Sequence, residues 1–316
     1  MPKVLSTSVN ADGGPHFDIL AQAGFDVEAV DRSVDLFDED TLISQMQGAS
    51  AVSAGSEPYT ARVIESLPDL RVISRSGVGF DAVDLAACDE KGVVVTVTPG
   101  VNHHAVAEHT IALLMGVARG FPERHDRVKG GRWFREPYPR VMGSTIGILG
   151  LGRIGKAIAR RAEAFDMTIA YHGRSEQPEV AYRFEPSLVE LARNSDFLIA
   201  SCVGGESTRN LINKEVLEAL GASGILVNVA RGSVVDEPAL ISALQSGTLL
   251  AAGLDVFANE PHVPEELIQM PNIVLQPHQA SATKQTRLAM GQLMVDNLDA
   301  HFSGKPPLTP VNSITK

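Results

Sequence analysis

Three glycines at a fixed spacing, Gly150, Gly152 and Gly155, stand between an apolar strand-like segment and a helix-like one. In such a turn the first glycine permits a tight bend, the second lets a pyrophosphate approach the backbone, and the third lets the helix pack on the strand. The N–H groups and the dipole at the helix N-terminus favour an anion. The same spacing also occurs in turns without a ligand, but here both flanking elements have the expected type. We therefore predict a dinucleotide-binding turn.

The end of the next strand indicates which dinucleotide fits. An NAD site places an acid there for the ribose 2′-hydroxyl, whereas an arginine accommodates a 2′-phosphate. This strand ends in His172-Gly173-Arg174-Ser175, and Glu176 follows past the expected ribose position. Arg174 is suited to bind the phosphate by two parallel hydrogen bonds, with Ser175 and His172 beside it. We predict NADP(H), with NAD(H) possible at lower affinity; the alternative for Arg174 is a solvated surface arginine.

Short apolar strands alternate with amphipathic helices around these residues, which predicts parallel sheets covered by helices on both faces. A long helix over 101–119 separates two such series, and a helix over 283–302 ends the second. The predicted strands are Val4–Ser6, Val27–Val30, Ala51–Ala54, Val72–Arg75, Val93–Thr96, Thr145–Leu149, Thr168–Tyr171, Phe197–Ala200, Ile225–Asn228, Ala252–Leu254 and Ile273–Leu275.

The two series predict an α/β fold with two doubly wound parallel-sheet domains. We expect a Rossmann cofactor domain over 101–283, inserted into a flavodoxin-like substrate-binding domain made of 1–100 and 284–316. The insertion follows from the expectation that the last helix returns to the first domain.

Composition excludes several classes of protein. The formal net charge is −11, which argues against nucleic-acid binding because that function normally requires a basic patch. The two cysteines, Cys88 and Cys202, form no disulfide framework or metal-ligand pattern and indicate a reducing compartment. The apolar stretch 105–121 is interrupted by charged residues, so we predict no membrane segment and a cytoplasmic location.

Three further runs carry a family resemblance: Val227-Asn228-Val229-Ala230-Arg231-Gly232-Ser233-Val234-Val235-Asp236, Gly253-Leu254-Asp255-Val256-Phe257-Ala258-Asn259-Glu260-Pro261 and Pro277-His278-Gln279-Ala280-Ser281-Ala282-Thr283. With the glycine turn, they resemble the D-isomer-specific 2-hydroxyacid dehydrogenases in order and spacing, over nearly the whole chain. The segment from Tyr171 onward most resembles the glyoxylate/hydroxypyruvate reductase and hydroxyphenylpyruvate reductase branch, whose members usually use NADPH.

Reduction of a 2-keto acid needs a clamp for the substrate oxygens and a proton donor for the developing alkoxide. Arg231 suits the clamp because a guanidinium binds two oxygens in one plane. His278 suits the acid, and Glu260 suits the group that orients it and favours its protonated form. The resemblance assigns the same roles to these positions. Taken singly, each residue also has a structural alternative: an ion-pair arginine, a helix-start glutamate or a satisfied histidine.

Substrate contacts are also expected from the turn Ser76-Gly77-Val78-Gly79, whose backbone N–H groups can form an anion nest. The family uses the matching segment in this way, although an ordinary β–α turn is the alternative. Gly55, after the neighbouring strand, is expected to line the same cleft. The further cofactor contacts that the resemblance implies are Leu151, Arg153, Ile154, Cys202, Val203, Thr208, Val229, Ala230, Arg231, Asp255 and His278.

The expected activity is therefore NADPH-dependent reduction of glyoxylate and hydroxypyruvate, without a metal. The alternatives are a hydroxyphenylpyruvate reductase, an NAD-dependent enzyme like phosphoglycerate dehydrogenase, and a non-catalytic dinucleotide-sensing corepressor. The resemblance also implies a homodimer, in which the region around Trp133 packs at the interface. A buried structural role is the alternative for that tryptophan.

Overall fold

The computed structural model describes residues 1–7, 15–31 and 33–313. The chain divides into two compact units. Unit 1 comprises Met1–Asn102 and Ala282–Lys316, and unit 2 comprises His103–Ser281. Unit 2 is thus an insertion in the chain of unit 1.

The sheet of unit 1 has five parallel strands in the order β2-β1-β3-β4-β5. This is the flavodoxin-like strand order. Strands β3 and β4 are buried along their whole length, as expected for parallel strands covered on both faces. The elements are β1 Lys3–Ser6, α1 Pro15–Gln22, β2 Asp26–Ala29, α2 Glu39–Met46, β3 Ala51–Ala54, α3 Ala61–Glu65, β4 Val72–Arg75, α4 Leu85–Lys91, β5 Val94–Thr96 and, after unit 2, α12 Lys284–Phe302.

The sheet of unit 2 has seven parallel strands in the order β12-β11-β10-β9-β6-β7-β8. Its centre follows the Rossmann order, which reverses direction between β6 and β9. The elements are α5 His103–Ala118, α6 Phe121–Lys129, β6 Thr145–Leu149, α7 Arg153–Glu163, β7 Thr168–His172, β8 Arg183–Phe184, α8 Leu188–Arg193, β9 Phe197–Ala200, α9 Lys214–Leu220, β10 Ile225–Asn228, α10 Glu237–Ser246, β11 Ala251–Leu254, α11 Glu265–Ile268 and β12 Ile273–Leu275. The predicted fold class is confirmed.

Local sequence explains where several helices begin and end. Asp84 caps α4 by accepting from the N–H of Ala87, and Gly92 ends that helix in the left-handed conformation. Asp236 caps α10 in the same way, and left-handed Gly247 ends it. Short polar side chains at the N-cap and glycine at the C-terminus satisfy backbone groups that a helix leaves without internal partners.

Two elements of unit 2 were not predicted. Helix α6 buries none of its residues, so it lacks the apolar periodicity from which helices are read. Its proline stands in the first turn, where a missing N–H costs little, and Arg127 pairs with Glu123 one turn earlier. Strand β8 has only two residues, too few to show an alternation. Among the described residues, no helix combines the length and apolar character needed to cross a membrane.

Candidate active site

The glycine turn after β6 has no space for a side chain at two of its positions. Gly150 has a φ of +94°, and a Cβ there would lie 2.6 Å from Cα of Cys202. A Cβ on Gly155 would lie 2.2 Å from the carbonyl oxygen of Gly150. These distances are far below van der Waals contact with backbone atoms. The first and third glycines therefore allow the turn and the close contact of α7 with β6.

Gly152 differs, because a Cβ at this position would meet no atom within 4 Å. Gly152 is the N-cap of α7, and no side chain caps this helix. The first turn also contains no acidic residue, and the side chain of Arg153 is exposed. Open space, N–H groups without a capping side chain and positive charge fit a pyrophosphate at this helix N-terminus.

The residues predicted to bind the ribose 2′-phosphate lie at the end of β7. Nδ1 of His172 donates to the carbonyl oxygen of Glu185 at 2.8 Å, and the ring stacks on Phe184. Arg174 and Ser175 are exposed, and Arg174 forms no ion pair within the described part of the chain. The Glu185 carboxylate is paired with Arg183 at 2.8 Å. A free guanidinium at a strand end without an acid fits a 2′-phosphate.

The segment after β9 closes against the glycine turn. Ser201 donates its hydroxyl to the Gly150 carbonyl at 2.9 Å. Cys202 is half-buried, and burial raises the pKa of its thiol to about 11, while Val203 is exposed. The Thr208 hydroxyl lies 2.9 Å from the Val203 carbonyl and 3.0 Å from that of Gly205, so its proton is used within this loop. A contact of Thr208 with pyrophosphate would require that hydroxyl to rotate.

Arg231 lies in the loop that follows β10, and Asn228 holds that loop. The Asn228 side chain donates to the Arg231 carbonyl at 2.9 Å and accepts from the Ala230 N–H at 3.0 Å. Asn228 is buried, and the sequence analysis did not identify it, although a polar residue ending an apolar strand was a usable signal. A Cβ on Gly232 would lie 1.8 Å from the Phe257 carbonyl carbon, so this loop packs directly on the loop after β11. Val229 and Ala230 are buried beside Arg231.

Glu260, after β11, holds the ring of His278, after β12. Nδ1 of His278 lies 2.7 Å from Oε2 of Glu260, and Oε1 of Glu260 accepts from the Phe257 N–H at 3.1 Å. The carboxylate only accepts, so the proton of this bond belongs to Nδ1. The His278 side chain is 34% exposed. Its Nε2 is therefore the nitrogen left for exchange with a substrate.

Asp255 fixes the backbone at His278 and directly after it. Its side chain is 1% exposed and accepts from the N–H groups of Gln279 and Ala280, each at 2.9 Å. The Asp255 carbonyl accepts from the His278 N–H at 2.8 Å. His278 has a φ of +50°, a conformation that non-glycine residues adopt only where their surroundings impose it. Asp255 thus caps the turn that contains His278.

His109 of α5 is a neighbour of Asp255 that the sequence analysis did not select. Its Nε2 lies 3.3 Å from Oδ1 of Asp255, without the alignment of a hydrogen bond. A histidine on an apolar helix gives no sequence signal for such a contact. In unit 2 the structure thus brings Arg231, Glu260 and His278 to the carboxyl ends of three adjacent strands. Leu151 is buried and Ile154 half-buried beside the glycine turn, and Gly173 borders open space.

In unit 1 the predicted nest retains free donors. The N–H groups of Gly77, Val78 and Gly79 have no acceptor within the described residues. The Ser76 N–H is used, because it donates to the Ala54 carbonyl at 2.9 Å. The Gly55 N–H is used as well, with side-chain acceptors at 3.0 and 3.1 Å. Three of the five predicted positions therefore offer backbone donors to an anion.

Comparison with known proteins places the chain in a family. Residues 111–280 match the family model described as the NAD-binding domain of D-isomer-specific 2-hydroxyacid dehydrogenases. Glyoxylate/hydroxypyruvate reductase A of Arabidopsis thaliana is 48% identical over 262 residues, which are 82% of this chain and 83% of that protein. Hydroxyphenylpyruvate reductase of Plectranthus scutellarioides is 48% identical over 276 residues, 86% of this chain and 88% of that one.

A solved structure agrees with these relatives. The NADPH-dependent glyoxylate/hydroxypyruvate reductase of Sinorhizobium meliloti, in complex with NADP and malonate, has a TM-score of 0.86 and 41% identity. The match covers 98% of this chain and 96% of that one. The chain belongs to the D-isomer-specific 2-hydroxyacid dehydrogenase family.

Proposed function

We propose that this protein is an NADPH-dependent reductase of small 2-keto acids, with glyoxylate and hydroxypyruvate as substrates. The observation that carries the proposal is the 2.7 Å contact between His278 and Glu260, on loops next to the one that holds Arg231. An imidazole oriented by a carboxylate and left with one free nitrogen is suited to donate a proton to a carbonyl oxygen.

Each of these three side chains has a separate task. Arg231 binds the carboxylate and the carbonyl oxygen of the substrate in one plane. His278 donates the proton from Nε2 as negative charge develops on that oxygen. Glu260 accepts from Nδ1 and holds the ring in the orientation that this donation needs. When bound, the nicotinamide supplies the hydride.

For the cofactor, the open N-terminus of α7 at Gly152 would hold the pyrophosphate. Arg174, Ser175 and His172 would hold the 2′-phosphate, and NAD(H) would bind more weakly because it lacks that group. The NADP in the Sinorhizobium relative supports this assignment. Cofactor binding is thereby assigned to unit 2. The carboxylate-binding nest of Gly77, Val78 and Gly79 assigns a substrate-binding role to unit 1.

A substrate panel tests the proposed function. Oxidation of NADPH, followed by its absorbance, is measured with glyoxylate, hydroxypyruvate, hydroxyphenylpyruvate and 3-phosphohydroxypyruvate. Turnover of the first two with NADPH is the expected result. No turnover with any keto acid and either nucleotide would refute the proposal and favour a non-catalytic nucleotide sensor. Hydroxyphenylpyruvate is the second candidate substrate, because the Plectranthus relative, 48% identical, is a reductase of that compound.

We also propose a homodimer in the cytoplasm. Segment 121–142 of unit 2 exposes Phe121, Val128, Trp133, Phe134 and Met142. Exposed apolar side chains concentrated in one segment are typical of a surface that another protein covers. Sedimentation of the purified protein would give the mass of the assembly directly.

A further inference from the structure

Unit 1 contains a buried carboxylate to which the proposed chemistry gives no task. Glu57 follows β3 and is 3% exposed. Its Oε1 accepts from the Tyr59 hydroxyl at 2.9 Å, from the Gly55 N–H at 3.0 Å and from the Thr7 hydroxyl. Burial of a charge is costly unless hydrogen bonds compensate for it, and three donors on one oxygen provide such compensation.

These bonds join segments that are distant in sequence. Thr7 follows β1 and Gly55 follows β3, so Glu57 holds two neighbouring strand ends together. Thr7 strengthens the junction, because its Oγ1 also accepts from the Gly55 N–H at 3.1 Å. Tyr59 extends it: its N–H donates to the Ala82 carbonyl and its carbonyl accepts from the Asp84 N–H, each at 2.8 Å. The segment 82–84 is separated from the nest by only Phe80 and Asp81.

A buried cation acts on the same region. Arg75 ends β4, is 5% exposed, and donates from Nε to the Gly79 carbonyl at 3.1 Å. Burial and the Glu57 charge raise the pKa of Tyr59 well above its ordinary value, and the Arg75 charge opposes that rise. Glu57 and Arg75 thus both act on the hydroxyl of Tyr59. Glu57 acts on the nest region through Tyr59, and Arg75 acts on it through the Gly79 carbonyl.

The other end of the nest is braced as well. The Gly77 carbonyl accepts from the Thr98 N–H at 2.8 Å and from its hydroxyl at 3.2 Å. Because a trans peptide is planar, a fixed Gly77 carbonyl directs the Val78 N–H to the opposite side. Donors aimed before the ligand arrives need no reorganisation on binding.

We propose that Glu57 is a positioning residue, which holds Thr7 at the end of β1 and the segments after β3 and β4 in the arrangement that binds the carboxylate of a 2-keto acid. This inference rests on the proposed function. Glu57 acts through Gly55, Tyr59 and the segment that follows the nest, and it needs no contact with the substrate.

The sign of the effect separates this role from simple electrostatics. A negative charge in unit 1 close to an anion site repels the substrate, so neutralisation of Glu57 by itself would tighten binding. Loss of the charge-assisted bonds would instead loosen the loops and weaken binding. Glu57→Gln keeps the size of the side chain and removes the charge. For this variant the electrostatic effect predicts tighter substrate binding, whereas the loss of loop positioning predicts weaker binding.

The experiment measures kcat, KM for glyoxylate, KM for NADPH and the dissociation constant of oxalate. For Glu57→Gln we expect KM for glyoxylate and the oxalate dissociation constant to rise about fivefold or more, because the hydrogen bonds that hold these loops lose their charged acceptor. KM for NADPH should stay within about twofold, a difference of roughly 0.4 kcal/mol by the usual conversion. Asp69→Asn is the matched control, because Asp69 is an exposed acid of unit 1 without a hydrogen bond to described residues.

Tyr59→Phe is the second variant, in case Glu57→Gln folds poorly. It removes one of the three donors and should raise the same two constants by a smaller factor. Unchanged or lower values in a folded variant, even with a lower melting temperature, would overturn the proposal and leave Glu57 with a purely structural role. If the wild-type protein reduces no keto acid, the proposed function fails. Oxalate binding by the same variants then still decides the role of Glu57.

Discussion

Nδ1 of His278 and Oε2 of Glu260 lie 2.7 Å apart, and this contact joins the loop after β12 to the loop after β11. Glu260 is itself held, because its other oxygen accepts from the Phe257 N–H. The ring therefore has one committed nitrogen and one free nitrogen. This arrangement suits proton donation from Nε2, which can be tested by replacing His278.

Replacement of His278 by alanine should lower kcat with glyoxylate by about 100-fold or more, because general acid catalysis typically contributes that much. Binding of NADPH, measured by fluorescence titration, should change little. Glu260→Gln should lower kcat by a smaller factor, because the ring remains but is held less firmly. His125→Ala is the control, since His125 is exposed on α6. Near-wild-type turnover of His278→Ala would contradict the assignment of the acid.

Arg174 should determine the choice of nucleotide. Arg174→Ala removes the guanidinium from the end of β7 and should raise KM for NADPH by about tenfold or more, since hydrogen bonds to charged groups contribute roughly 1.5–3 kcal/mol. KM for NADH should change little, because NADH lacks the 2′-phosphate. Arg160→Ala on α7 is the matched control, as Arg160 is also exposed. A wild-type preference for NADH would show that the residue has another role.

Two glycines of one turn should respond differently to alanine. At Gly155 the added Cβ would lie 2.2 Å from a backbone oxygen, so Gly155→Ala should lower the free energy of unfolding by about 1–3 kcal/mol or more. At Gly152 the Cβ meets only open space, so Gly152→Ala should fold normally and bind NADPH more weakly. Urea unfolding and nucleotide titration of the two variants test this contrast. Equal losses of stability would contradict the contrast between the two positions, and unchanged NADPH binding by Gly152→Ala would show that the ligand does not use this open space.

The thiols should make stability decrease in alkali. Burial is the main cause that raises the pKa of Cys88 to about 12 and that of Cys202 to about 11, from an ordinary value of 9.0. Well below pH 9 both thiols are protonated whether the chain is folded or unfolded, so their contribution does not vary. Above it the unfolded chain ionises first, and the free energy of unfolding falls as pH rises towards 11 to 12.

The measurement compares urea unfolding at pH 8 and pH 10 for the wild type and the Cys88→Ala, Cys202→Ala variant. The wild type should lose more stability between the two pH values than the variant does. Alkylation of the native thiols at pH 8 should also be slow, because few are thiolates. An identical pH dependence would argue against buried neutral thiols.

The exposed aromatic residues of segment 121–142 should mediate dimerisation. Trp133→Ser with Phe134→Ser should shift the sedimenting species from dimer to monomer, because Trp133 and Phe134 are 75% and 66% exposed in the single chain. Leu308→Ser, at an exposed apolar residue of unit 1, is the control. A wild-type protein that sediments as a monomer would refute the dimer itself.

Local sequence patterns were sufficient to predict the fold class, the glycine turn and the family. Strand β6, Gly150, Gly152 and Gly155 are consecutive along the chain, so their spacing alone carried the prediction. Helix α6 lacked such a signal because all of its residues remain accessible or half-buried. Its helical structure depends on ion pairs and a proline in the first turn, which no apolar period reveals.

Sequence by itself determined the family and the class of fold, and it selected Arg231, Glu260 and His278 as candidate site residues, because each belongs to a recognisable run of neighbouring residues. Only the tertiary structure decided that the Gly55 N–H is already used, that Asn228 and Asp255 hold the loops after β10 and β12, and that Glu57 is buried. The reason is physical. Thr7 and Glu57 are 50 positions apart, and Asp255 and Gln279 are 24 apart; such contacts form only when parallel strands bring their carboxyl ends to one edge of a sheet.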